Sequence, residues 1–217
     1  MKKAINCFIP YENEQSAQST IASLRKNERV NRIFLLATNT GMKEIAGCPI
    51  IVTDLPNSTD TFRKIAQSAD TPFTLLYTKT SPLELGYRAL ERMTDYFIEG
   101  ETSILYADYY ERKSGELIPH PVIDYQLGSV RDDFDFGSVL LFDSQILKEG
   151  VLALEKQENY RYAALYALRL FASRKGSIRH IGEYLYTEVE EDLRKSGEKQ
   201  FDYVNPRNRE VQIEMEK

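Results

Sequence analysis

Short apolar runs, each halted by a turn signal and separated by segments of helical spacing, fill the first half of this chain and restrict its architecture more than any other feature. Residues 5–9 stop at Pro10, 33–37 end before Asn39-Thr40-Gly41, 50–53 run into Asp54, and 73–77 open after Pro72. Short runs of branched and aromatic residues bounded by Gly, Pro or Asn read as buried strands. Between them, Ala17, Ile21 and Leu24 recur at helical intervals, as do Phe62, Ile65, Ala66 and Ala69 behind a Ser58 or Thr59 cap. A further helix is expected from Ser81-Pro82, with Leu83, Gly86, Leu90, Met93 and Phe97 along one side. Strands that alternate with helices and are apolar on both faces require a mostly parallel sheet covered on both sides, an α/β fold.

The second half departs from that rhythm. A strand over 103–107 ends at Asp108, Lys113-Ser114-Gly115-Glu116 reads as a turn, and 117–122 as a return strand carrying Pro119 and Pro121. Another apolar run, 139–142, follows Phe136-Gly137-Ser138. Residues 160–171 form a helix apolar almost all round, hence buried, and 178–181 a last short strand. Residues 211–217 resemble the opening turns of a helix, either a frayed tail or the start of an element that continues in a longer protein. The folded domain is expected over 1–190, with 191–217 as a tail.

Charge and composition narrow the ligands. The 217 residues are 42% hydrophobic, enough for one sizeable core. The net charge is −5, with no basic cluster dense enough to follow a phosphate backbone, which argues against nucleic acid. An anionic small molecule therefore needs a local positive pocket. Cys7 and Cys48 sit in or beside apolar runs at no metal or redox spacing and read as buried free thiols. The apolar stretch 4–10 is too short for a secretion signal and no segment is long enough to span a membrane, so a cytoplasmic protein is expected.

Three stretches carry a family resemblance. Ile9-Pro10-Tyr11-Glu12-Asn13-Glu14 is similar to the I-P-x-x-N-E loop that opens family-2 glycosyltransferases after their first strand. Ile178-Arg179-His180-Ile181-Gly182-Glu183-Tyr184-Leu185-Tyr186 resembles their I-x-H-I-P-E-x-L-Y segment, with Gly182 in place of proline. It follows Ala167-Leu168-Arg169-Leu170, which matches the family's l-R-l helix, and Phe136-Gly137-Ser138-Val139 looks like its glycine-led strand on the acceptor side. The order of these stretches over roughly residues 4–190 makes the resemblance. It implies a GT-A-type three-layer α/β/α sandwich of the nucleotide-diphospho-sugar transferase kind. It also implies transfer of a sugar from a nucleoside-diphosphate sugar to a hydroxyl of a glycan or lipid-linked acceptor, as in cell-surface polysaccharide synthesis.

The same resemblance distributes roles. Pro10, Tyr11, Asn13 and Glu14 would cradle the donor's base and ribose, with Asp54 accepting a hydrogen bond and Arg63 reaching a phosphate. Asp54 could equally cap a helix, and Arg63 could be a surface arginine. The place of the family's acidic D-x-D cluster, which holds a divalent cation against the diphosphate, is taken here by Leu76-Tyr77-Thr78-Lys79-Thr80, with Tyr77-Thr78-Lys79 replacing the acids. Lys79 is then either a metal-free phosphate binder or a solvated lysine. Asp108, ending a buried strand, is the candidate metal ligand, for Mn or Mg held weakly and only with nucleotide. The family's general-base position aligns with Arg161-Tyr162-Ala163-Ala164-Leu165, which has no acid, so Asp132 and Asp133 are the candidate catalytic pair, or else turn residues. His180 is either structural or near the diphosphate. A domain that binds sugar nucleotide, glycan or protein without turnover is the alternative. A nucleotidyltransferase ranks below both, because 11–15 contain no glycine for a phosphate loop.

Overall fold

A computed structural model of the chain describes residues 3–98, 101–126, 128, 134–157, 159–189 and 206–216. The first half follows the alternation of the sequence: β1 (Ile5–Pro10), α1 (Glu14–Arg25), β2 (Val30–Ala37), β3 (Ile50–Val52), α2 (Thr59–Ser68) and β4 (Phe73–Tyr77). β1 is buried on both faces because β2 and β4 flank it in parallel and helices cover it. Asn13 starts α1 by accepting from the Gln15 and Ser16 N–H groups, and Ser58 starts α2 by accepting from Thr61 N–H. Each cap satisfies a donor that the first helical turn leaves open.

The remaining elements are β5 (Leu83–Leu85), α3 (Ala89–Tyr96), β6 (Thr102–Lys113), β7 (Glu116–His120), β8 (Val139–Asp143), α4 (Ser144–Gln157), α5 (Ala164–Lys175), β9 (Ser177–Val189) and α6 (Pro206–Met215). They form one sheet in the order β3-β2-β1-β4-β8-β6-β9-β5, with β7 paired to β6. β1, β2, β3, β4, β6 and β9 point the same way, while β5, β7 and β8 run against them. The sheet is thus mostly parallel, as expected. The chain leaves β1 towards β2 and β3, then returns to β4 on the other side of β1, so right-handed crossovers place α1 and α2 on opposite faces. α2, α4 and α5 pack on one another; α1 lies against β2 and β5, and α3 against β9.

Several sequence expectations needed correction. The helix expected from Ser81 breaks into β5 and α3. Leu83 N–H donates to the Thr20 hydroxyl and Leu85 N–H to the Ser23 hydroxyl, while β5 pairs with β9. Tertiary partners for the backbone outweigh a helical apolar spacing, and Gly86 permits the turn: a Cβ there would lie 2.9 Å from the Leu185 carbonyl oxygen. The buried helix begins at Ala164 rather than 160, and the return strand is Glu116–His120. The last strand is far longer than 178–181, because β9 runs beside the whole of β6 with bulges near Asp108. α4 had no counterpart in the sequence reading.

Candidate functional site

Because β1, β2 and β4 end at the same edge, and the chain reverses direction between β1 and β4, a crevice opens there. Parallel α/β sheets bind ligands at such switch points. The floor is Phe8, Pro10, Leu36, Tyr77 and Thr78, and the volume is about 350 Å³. Phe62 and Ile65 of α2, Tyr162 just before α5, Leu165, Tyr166 and Arg169 of α5, and Val211 and Met215 of α6 wall it. A larger hollow of about 490 Å³ lies at the opposite edge, beside Lys3, Val30 and Asn31 near the start of β2. That is the edge to which this architecture assigns no ligand chemistry.

Arg169 is the electrostatic centre of the crevice. Leu165, Tyr166 and Arg169 share one face of α5 at helical spacing, with Tyr162 just ahead of the helix, so this stretch supplies apolar wall, aromatic rings and a cation. The guanidinium stacks on Phe136, with Cζ 4.6 Å from the ring centre. Its Nε is shut off from solvent and has no hydrogen-bond partner among the described residues. Burial pushes the group down from the usual arginine value to about 10, and the Asp135 charge only partly offsets this. A buried cation with an open donor is costly, and an anion entering the crevice would relieve it. The sequence signal was a charge in the middle of a largely apolar helix, which entered the sequence reading only through the family resemblance.

The sequence-derived candidates scatter around this centre. Pro10 lines the crevice. Tyr11 is buried beside it, its hydroxyl donating to the Lys43 carbonyl at 3.1 Å, and burial raises its pKa. Asn13 caps α1, and Glu14, in the first turn of that helix, accepts from Gln18. Asp54 is exposed past β3. Arg63 turns towards α4, pairing with Glu155 and, at 2.7 Å, with Asp60. Lys79 pairs with the buried Glu188 and lies 5.8 Å over the Tyr109 ring. Asp132 and Asp133 lie outside the described residues.

Asp108 is bound into a separate cluster. Its Oδ1 accepts from Val122 N–H at 2.8 Å and hydrogen-bonds His180 Nε2 at 2.8 Å, while His180 Nδ1 meets Asp124 at 2.7 Å. Tyr106 stacks on His180 and donates to the Ile123 carbonyl. Together these contacts pin the segment after β7 against β6. Among the described residues, no three His, Cys, Asp or Glu side chains converge as a cation site.

One contact had no sequence signal. The Glu214 carboxylate of α6 accepts from three successive backbone N–H groups at the head of α5: Arg161 at 2.9 and 3.0 Å, Tyr162 at 2.8 Å and Ala163 at 3.1 Å. This puts a carboxylate beside the stretch in which the family resemblance expected an acid and found none.

No protein-family model matches the chain, and no curated protein matches it in sequence. Solved structures do match in fold. The chain superposes with a TM-score of 0.60 on GalNAc-T7, solved with UDP, GalNAc and Mn2+, at 9% identity, covering 86% of this chain and 43% of that one. It matches the bifunctional IspDF of Campylobacter jejuni with a TM-score of 0.53 at 10% identity, covering 83% of this chain and 50% of that one. It also matches the 4-diphosphocytidyl-2C-methyl-D-erythritol synthase of Anaerococcus prevotii at 0.53 and 10%, covering 84% and 90%. The chain therefore spans about half the length of two of these three. The chain shares the α/β fold of these three structures. No described helix is long and apolar enough to cross a membrane.

Proposed function

We propose that the crevice binds a nucleoside-diphosphate sugar and that the chain transfers the sugar to a hydroxyl of a glycan or lipid-linked acceptor. The observation that carries this reading is Arg169: a half-buried guanidinium facing a crevice at the sheet's switch point, its Nε shut off from solvent and without a hydrogen-bond partner among the described residues. A diphosphate supplies the missing acceptors, and Tyr162 and Tyr166 offer flat surfaces against which a nucleobase packs. The named neighbours favour the same ligand class, since one was solved with UDP, a sugar and Mn2+ and another is a diphosphocytidyl synthase.

In such a transfer the acceptor oxygen attacks the anomeric carbon. The carbon–oxygen bond to the diphosphate breaks and its electron pair leaves with the nucleotide, while the hydroxyl proton passes to a carboxylate. Arg169 steadies the departing charge. Asp132 or Asp133 would take the proton, a role assigned from sequence. The described acids do not fit a resident divalent ion: Asp108, the candidate ligand, already uses one oxygen for Val122 and His180. No step is routed through a metal, and an ion arriving with the nucleotide would take most of its ligands from the diphosphate.

A second reading, binding without turnover, is favoured by the missing acids at 76–80 and 161–165. One set of titrations separates the two. Calorimetry with UDP-, GDP- and CDP-linked sugars, with and without manganese, should give one micromolar ligand whose affinity falls at least about tenfold in Arg169→Met, the worth of one charge-assisted contact. Equal binding by the variant, or no ligand at all, would remove this reading. Binding with no nucleotide release in the presence of acceptors would leave the non-catalytic one.

A further inference from the structure

The head of α5 is built differently from those of α1 and α2. Asn13 and Ser58 cap those helices from within a turn, but the N-cap of α5 is Ala163, which has no side-chain acceptor. The Ala164 N–H reaches the Asn57 carbonyl, while the Arg161, Tyr162 and Ala163 N–H groups just ahead of the helix are held by Glu214, from an element far along the chain; Tyr162 and, on α6, Val211 and Met215 all line the crevice. Three successive N–H groups converging on one carboxylate oxygen form an anion-binding nest, strengthened by the positive end of the helix dipole. Arg169, further along α5, lines the same crevice, on a helix whose long side chains lean back towards its N-terminus, and its Nε, shut off from solvent, has no partner among the described residues. The crevice thus has two sets of donors for anionic oxygen, and one is occupied by the protein's own carboxylate.

We propose that the Arg161-Tyr162-Ala163 backbone nest is an anion subsite for a phosphate or carboxylate group of the ligand, and that Glu214 on α6 occupies it as an internal surrogate that the ligand must displace. The inference rests on reading the crevice as the ligand site. Because displacement uses up part of the binding energy, the apparent affinity of the intact chain falls by the fraction of molecules with α6 seated. α6 is then both a wall of the crevice and its competitor.

The test uses the full chain with inorganic pyrophosphate, UDP and uridine as probes. Glu214→Ala should bind pyrophosphate and UDP at least about fivefold more tightly than the parent, with uridine unchanged. Glu216→Ala removes the same charge from an exposed position just past the end of α6 and should match the parent. Circular dichroism and melting of each variant establish that α6 and α5 still fold, and Glu214→Gln, which keeps an oxygen for the nest but no charge, should give an intermediate gain. UDP bound equally by parent and Glu214→Ala would overturn the subsite while leaving the crevice as the ligand site. An equal gain from Glu216→Ala would overturn it too, since the effect would then be bulk charge. If no variant binds any of the probes, both this inference and the nucleotide reading fall.

Discussion

At the scale of single residues, the arrangement separates groups that stabilise from groups held for a ligand. On the proposed function, Arg169 belongs to the second kind. Its depressed value means the fold disfavours the charged form, so the guanidinium costs stability at every pH below about 10, and that cost fades only above it. Arg169→Met should therefore melt no lower than the parent, with a difference that is flat across neutral pH, while ligand affinity is lost. A fall in Tm by several degrees would show instead that the arginine is a structural group. Gly137 is of the first kind. It adopts φ +66°, and a Cβ would lie 2.2 Å from the Tyr186 hydroxyl, which accepts from Ser138 N–H. Gly137→Ala should cost roughly 2 kcal/mol or more in urea unfolding, because strain and displacement of Tyr186 add. The two cysteines are buried and burial raises both thiols, Cys7 far above its ordinary value. A thiol reagent should find neither in the native protein and both after unfolding; labelling of Cys48 in the folded state would show the β3 edge opening.

At the scale of elements, α1 tests whether a helix start doubles as a ligand loop. Asn13 holds the first turn, so Asn13→Ala should destabilise by about 1 kcal/mol and Asn13→Ser should restore most of it. If the side chain also touches the nucleotide, Asn13→Ser will recover stability but not affinity; recovery of both confines it to capping. Elements were legible from sequence wherever local signals and tertiary needs agreed, as in β1, α1, β2, α2 and β4. They were misread where backbone donors found distant partners. The Leu83 and Leu85 N–H groups bond to Thr20 and Ser23, more than sixty residues away in sequence, and no periodicity records that. β9 was legible only in part because its length is set by pairing with β6, and Gly182 lies within that bulged stretch.

At the scale of the whole molecule, the layered sheet predicts graded stability. β1, β4, β8 and the first half of β6 are buried almost throughout, whereas α6 exposes much of its surface. Hydrogen exchange should be slowest in those four strands and fastest in α6, and slow exchange in α6 equal to β1 would show that it is part of the cooperative core. Sequence alone determined the α/β class, the parallel first half, the buried thiols and the loop at Pro10, because apolar period, turn residues and caps act over a few neighbours. The candidate site was another matter. Ile9-Pro10 marked the right strand end, yet Arg169 and Glu214 became site residues only when β4 returned beside β1 and α6 folded onto α5. Burial, missing partners and convergent N–H groups are properties of a neighbourhood, and only the tertiary structure assembles residues from such distant parts of the chain into one.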